Sequence, residues 1–450
     1  MKKTLFLFLF TTILFAEKGY ELVKENTLFN GEKIREYKLP NGLQVLHLPR
    51  HEAKLITYQT WFRVGSIHEK LTEKLNKTGL AHLFEHMMFR GSANYPDGEF
   101  DKLTSKMGAE KQNATTSYNR TNYFQSIPSH QLSKLMELEA DRMKNLKLTS
   151  EIFEKEKGAV VGELRRYLDS PPRFAYEELL KLAFEKATYR YTVIGTEEEI
   201  KGFKLDEAQY FYKTFYAPNN ATLIFVGDAT EEKLLPLVVK YYGDMKPQEI
   251  PKVEMPVEPP QKAERKVIKT HSQATSEILL ISYPICDVES EDIISLSLMG
   301  SHLSNGMEAR LRKRLVDSHI AVSAMAGANN KPNIFEFYVL LTENTPADKA
   351  IKVIDQEINR LQSQLISAKE LERAKNQDLL DLYSAINDNS SVANQIGEYL
   401  TLSQNYLRGF EIVEGYKKVT AKNISKAAQK YLKAKNRSIV IIQPEKKAKK

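Results

Sequence analysis

Cysteine is almost missing. Cys286 stands alone among 450 residues, which excludes an internal disulfide and a lipid-modified cysteine near the start. A chain of this size without covalent staples must hold itself together by core burial. Long apolar runs are missing too: none reaches eighteen residues, so nothing reads as a comfortable membrane span. No arginine precedes Arg35, which argues against an Arg-rich mitochondrial address. A strong charge imbalance is also lacking. The net charge is +7, but Lys2, Lys3 and the lysine-rich tail after Pro444 account for five of those charges, so the body is nearly neutral. Binding to nucleic acid therefore gains no support. Histidine-rich tracts, which a zinc-scavenging protein would favour, are absent.

What is present describes an exported globular protein. Hydrophobic residues make up 42% and charged residues 27%, enough for a sizeable core in two or three domains. Lys2 and Lys3 precede TLFLFLFTTILF and Ala16: a charged start, a short apolar stretch and a small residue at a cleavage position. Residues 1–16 read as a signal peptide, with the periplasm as destination and no stable membrane insertion after its removal. An uncleaved anchor is the alternative, because Leu14 is not ideal three residues before the cut.

A Pro- and charge-rich stretch over 246–266 breaks all periodicity and reads as a linker between residues 17–245 and 267–450. The halves resemble each other. FYAPNNATLIFV (Phe215 to Val226) and YLKAKNRSIVII (Tyr431 to Ile442) each place an aromatic, a polar turn and an apolar strand at the close of a half, with Asn220 and Asn436 in matching positions. Asn41-Gly42 opens a strand, Ile56 to Val64 forms another, Gly79 to Met88 is helical, and Asn113 to Ile127 makes a hairpin turning near Ser117 to Asn119. Ser129 and Ser150 are expected to cap the next two helices. The class is α+β: two homologous α/β sandwich-type domains, each a mostly antiparallel sheet packed with helices.

The chemistry concentrates in GLAHLFEHMMFRG. His82, Glu85 and His86 form H-x-x-E-H. On a helix the two histidines lie one turn apart on one face, where both imidazoles reach a single metal ion and Glu85 can touch a water beside it. About 0.02 such matches are expected by chance in a chain with nine histidines and 58 acidic residues. A catalytic zinc site needs a third protein ligand. Glu156 and Glu163 share one stripe of the helix after Ser150, and the residues alone do not choose between them.

The chain resembles the pitrilysin/insulinase family of zinc peptidases, inverzincins that include the mitochondrial processing peptidases. NGLQVL, WFRVGSIHE, GLAHLFEHMMFRGS, NATTSYNRTNYF, VVGELRRYLDSPP, FYAPNNATLIFVGD and YLKAKNRSIVIIQP match in order over nearly the whole mature chain. The resemblance implies one Zn²⁺ per chain held by His82, His86 and Glu163, with Glu85 as general base and Glu156 supporting a ligand histidine. Asn113, Ala114, Thr115 and Thr116 resemble the strand along which family members lay an extended peptide; by itself Asn113 would read as the start of a hairpin strand. Residues 17–245 become the zinc-binding catalytic domain and 267–450 an inactive homologue. The implied activity is a zinc-dependent endopeptidase acting on peptides or unfolded segments. The competing reading is a non-catalytic assembly subunit, disfavoured because all four key residues are present.

The resemblance also implies a partner. Family peptidases enclose the substrate in four such domains, and 450 residues supply two. Active members use an Arg/Tyr pair from the far half of the chamber. Here those positions read Leu315 and Val322. Arg310 matches a different family arginine, a shifted alignment would offer Arg312, and no tyrosine lies between Tyr283 and Tyr338. A heterodimer with a homologous zinc-less subunit carrying the Arg/Tyr pair is expected, with a homodimer as the alternative. His302 and His319 stand alone and are expected to be structural or exposed.

Overall fold

The computed structural model describes residues 18–70 and 74–445. The expected signal peptide therefore lies outside the described residues. Among these, no helix is long and apolar enough to cross a membrane.

Twelve strands fall in chain order: β1 Glu21–Thr27, β2 Lys33–Lys38, β3 Gln44–Pro49, β4 Leu55–Phe62, β5 Glu110–Thr116, β6 Thr121–Pro128, β7 Ala221–Gly227, β8 Arg265–His271, β9 Ile278–Pro284, β10 Ala321–Asn329, β11 Ile334–Leu341 and β12 Ser438–Pro444. The helices are α1 Leu80–Met87, α2 Glu99–Lys106, α3 Leu132–Asn145, α4 Ser150–Leu168, α5 Pro171–Ala183, α6 Glu197–Lys201, α7 Leu205–Phe215, α8 Glu231–Tyr242, α9 Asp292–Ser304, α10 Ala347–Ser363, α11 Ala368–Ile386, α12 Asn389–Ser403, α13 Arg408–Lys418 and α14 Ala421–Tyr431. These elements make two sheets packed with helices, the α+β architecture expected from the sequence.

The seven-stranded sheet runs β1-β2-β3-β7-β4-β6-β5, antiparallel except for the parallel β3/β7 pair. The five-stranded sheet runs β10-β11-β9-β12-β8, antiparallel except for β12/β8. Taken from the other edge, its order and pairing reproduce β3-β7-β4-β6-β5 strand for strand. The sequence repeat falls in register with this match. Asn220 and Asn436 each close a single 3-10 turn directly before β7 and β12.

Two compact units result, and neither is continuous in sequence. Of the described residues, one comprises those up to Val161, Val193–Glu254 and Ala385–Phe410; the other comprises Gly162–Thr192, Met255–Ser384 and those from Glu411. The first unit thus takes α12 from late in the chain. The reason is packing: β7 is buried along its whole length, so both its faces need cover. The only tryptophan, Trp61 on β4, is 1% exposed, and α12 offers Gly397 to it. A Cβ there would sit 2.0 Å from the indole ring. In the second unit, α9 fills the core between β9 and β10, with ten of its thirteen residues buried.

Two expected caps are replaced. Ser129 opens a 3-10 turn, too early to cap the helix, and its hydroxyl donates to Asp228 (2.8 Å). The helix after it begins at Leu132 without a side-chain cap. Ser150 is already helical; the hydroxyl of Thr149, one residue earlier, accepts from the Ile152 N–H (3.3 Å).

Candidate metal centre

α1 has only two turns, and its sequence divides it cleanly. Leu80, Ala81, Leu83, Phe84 and Met87 are buried. Phe84 anchors the helix among Phe211, Tyr212 and Tyr216, with ring centroids 4.5–5.6 Å away. His82, Glu85 and His86 share the opposite, half-buried face. The imidazole centroids lie 4.8 Å apart with ring planes at 73°. That is the i, i+4 arrangement expected from the spacing.

α4 supplies the two acidic residues. Glu156 is fully buried, with a carboxylate oxygen 3.7 Å from His86 Nδ1 and the other 2.9 Å from the Arg90 guanidinium. Burial pushes its carboxyl up, but hydrogen bonding to His86 and Arg90 outweighs this and holds it below the usual range. α4 is one continuous helix, so Glu163 follows Glu156 by two turns on the same stripe. One ligand atom each from His82, His86 and Glu163 can be chosen so that all lie within 4.8 Å of one another. No other group of three or more such side chains meets this condition among the described residues. Two imidazoles and one carboxylate, each half-buried, fit the donor set of a catalytic zinc.

The base candidate has a partner that sequence reasoning assigned elsewhere. Thr116, expected to contact substrate, donates its hydroxyl to the Glu85 carboxylate in a short hydrogen bond. Below lie Tyr123 and Tyr216, their hydroxyls 3.0 Å apart; burial pushes both phenols up, and the nearby Glu85 charge adds to this. The other strand residues divide likewise. Ala114 is buried, Asn113 is exposed and accepts from the Ala114 N–H (2.9 Å), and Thr115 donates to Asn122 (2.6 Å). Their strand, β5, forms an edge of its sheet among the described residues.

Among the described residues, no comparable group of possible metal ligands lies at the second sheet. Leu315 is buried, and Val322 is 59% exposed on β10. Arg310 makes two bonds to the buried Glu357 (2.8 and 2.9 Å), and Arg312 lies 3.9 Å from Asp317. His302 is buried in α9, while His319 is exposed with φ +58°.

Sequence reasoning missed Glu69. It is wholly buried, and its carboxylate accepts from the backbone N–H groups of Gly79 (2.8 Å) and Ala81 (2.6 Å) at the start of α1. Burial raises its carboxyl to about 8 although those two bonds pull the other way. No local pattern flags a cap ten residues upstream of the helix it serves.

Comparison with known proteins identifies the family. Residues 45–197 match the model for Insulinase (Peptidase family M16), and residues 202–377 match the model for the Peptidase M16 inactive domain. The zinc protease PqqE of Helicobacter pylori is 27% identical over 414 residues, covering 90% of this chain and 92% of that protein. The probable zinc protease PqqL of Haemophilus influenzae is 33% identical over 248 residues, 53% of this chain and 26% of that protein. A protease crystal structure from Helicobacter pylori superposes with a TM-score of 0.86 at 27% identity, covering 92% of this chain and 100% of that one. With both M16 models matched in tandem along it, the chain belongs to the insulinase family, peptidase family M16.

Proposed function

We propose that the chain is a zinc-dependent endopeptidase of the periplasm that cleaves peptides or unfolded protein segments. The observation that carries this reading is the convergence of His82, His86 and Glu163 beside Glu85. Zinc held by the three ligands would supply a Lewis acid that polarises the scissile carbonyl and acidifies water. Glu85 takes the proton of the attacking water and returns one to the leaving amine. Thr116 holds the Glu85 carboxylate in a fixed direction, and Glu156 does the same for the His86 ring through Nδ1. An extended peptide lies along the edge of β5, recognised through its backbone, so sequence preference is broad. The apolar start of the chain supports export. Leu315 and Val322, where the Arg/Tyr pair would stand, support a heterodimer with a zinc-less homologue carrying that pair over a homodimer.

The test is metal analysis and peptide cleavage on the purified chain, alone and mixed with homologues from the same source. About one zinc per chain is expected. Glu85→Gln keeps the zinc and loses cleavage by about 10²–10⁴-fold, because an amide cannot accept the proton. Near wild-type cleavage by that variant would reject the role of Glu85. Full activity of the chain alone, unchanged by any homologue, would reject the second subunit.

A further inference from the structure

α1 carries three residues of the proposed centre, yet it is eight residues long. Two turns are too short to be stable alone, and their first N–H groups have no partner within the helix. The residue at the N-cap, Gly79, has φ +98° and no side chain to offer. Glu69 fills that gap from outside. One of its carboxylate oxygens takes the Gly79 N–H and the other takes the Ala81 N–H, and His82 is the next residue.

The surroundings of this cap are rigid. A Cβ on Gly79 would stand 2.5 Å from the Ile194 carbonyl oxygen, and one on Gly195 would stand 2.4 Å from the Thr78 carbonyl oxygen. The two backbones therefore touch. Glu199 accepts from the Thr78 N–H (3.1 Å) and hydroxyl and pairs with Lys70 (2.7 Å). Thr78 and Lys70 flank Gly79 and Glu69 in sequence, so both partners of the cap are held from the side.

We propose that Glu69 is a positioning residue for the metal centre: its two bonds fix the first turn of α1 in the orientation that brings His82 to the point reached by His86 and Glu163. This rests on the zinc reading above. The test uses the full chain with Glu69→Gln, which keeps the size but turns a side-chain amide NH2 toward a backbone N–H, and Glu69→Ala, which removes both bonds. Leu234→Ala, in the buried face of α8, serves as a variant that loses stability without touching α1. Three quantities are read: zinc affinity by chelator competition, the visible spectrum of the cobalt(II)-loaded protein, and hydrogen exchange of the Leu80–Phe84 amides without metal. Glu69→Gln should weaken zinc binding about tenfold and Glu69→Ala about 100-fold, the range for groups that orient ligands. Both should shift the cobalt bands and speed exchange in the first turn, while Leu234→Ala changes none of these. Zinc affinity within about twofold of wild type in both variants, or a loss no greater than in Leu234→Ala, would overturn the proposal. If Glu69→Ala does not fold, Glu69→Gln decides. If the wild-type chain takes no zinc, the functional reading fails, and unchanged exchange in Glu69→Gln would separately reject the positioning role.

Discussion

The two sheets share one strand order and differ in the helix that follows the second antiparallel strand. After β4 comes α1, short and split between an apolar face and a polar one. After β9 comes α9, thirteen residues long and buried on nearly every side. A helix hydrophobic all round has no face on which to present ligands. The one histidine in α9, His302, is wholly enclosed. A common scaffold thus carries the candidate metal centre in one copy and a core helix in the other. The difference lies in exposure of one helix face and in the cap that α1 needs because it is short.

The comparison breaks most sharply if histidines from the two helices behave alike. His86→Ala should strip zinc and abolish cleavage, while His302→Leu should leave both within about twofold of wild type. Zinc loss from the His302 variant would place a ligand in the wrong sheet. The next effect concerns packing. Gly397→Ala forces a methyl group into Trp61 and should destabilise the first unit by about 3 kcal/mol, read from urea unfolding with Trp61 fluorescence as probe. An unchanged midpoint would show that α12 does not close tightly over β4.

The third concerns pH, and here the units should agree. Burial lowers His302 to about 4, with Arg360, Arg373 and Arg310 adding to the effect and Glu370 opposing it. His47 in the first unit is likewise lowered to about 4 by burial. Each is neutral when folded and ordinary when unfolded. Stability from this source is complete above pH 6.5 and lost as the pH falls toward 4. His302→Leu should recover about 2 kcal/mol at pH 4.5 relative to its effect at pH 7.5. A pH-independent difference would mean that the fold does not lower the His302 imidazole. The smallest effect is Thr116→Val, which removes the hydrogen bond to Glu85 and should slow turnover about fivefold with KM little changed. A rise in KM alone would return Thr116 to the peptide-binding role that the sequence suggests.

The H-x-x-E-H helix is legible in the sequence because its chemistry is local: spacing along one helix fixes which side chains share a face. The hairpin of β5 and β6 is legible for the same reason. Local pattern does not select Glu163, since Glu156 lies on the same stripe, and only the family resemblance separates them. Glu69 leaves no trace, because a cap supplied through a loop has no fixed spacing. Ser129 and Ser150 mislead because the helix boundary decides which residue caps: a 3-10 turn intervenes after Ser129, and the neighbouring Thr149 takes the cap before Ser150. The membership of α12 is the feature furthest from the sequence pattern. Its one signal is Gly397, a glycine inside a helix, which costs about 1 kcal/mol against alanine and asks for a packing reason.

The late origin of α12 sets the order in which the molecule can be finished. Synthesis runs from the N-terminus, so β4 and Trp61 exist more than three hundred residues before Gly397 arrives to cover them. A ribosome-bound chain ending at the linker holds a sheet with one face still open to water. The first unit therefore cannot complete its packing over Trp61 until the last quarter of the chain has been made. For a chain exported as proposed above, that packing step falls after most of the chain has been synthesised.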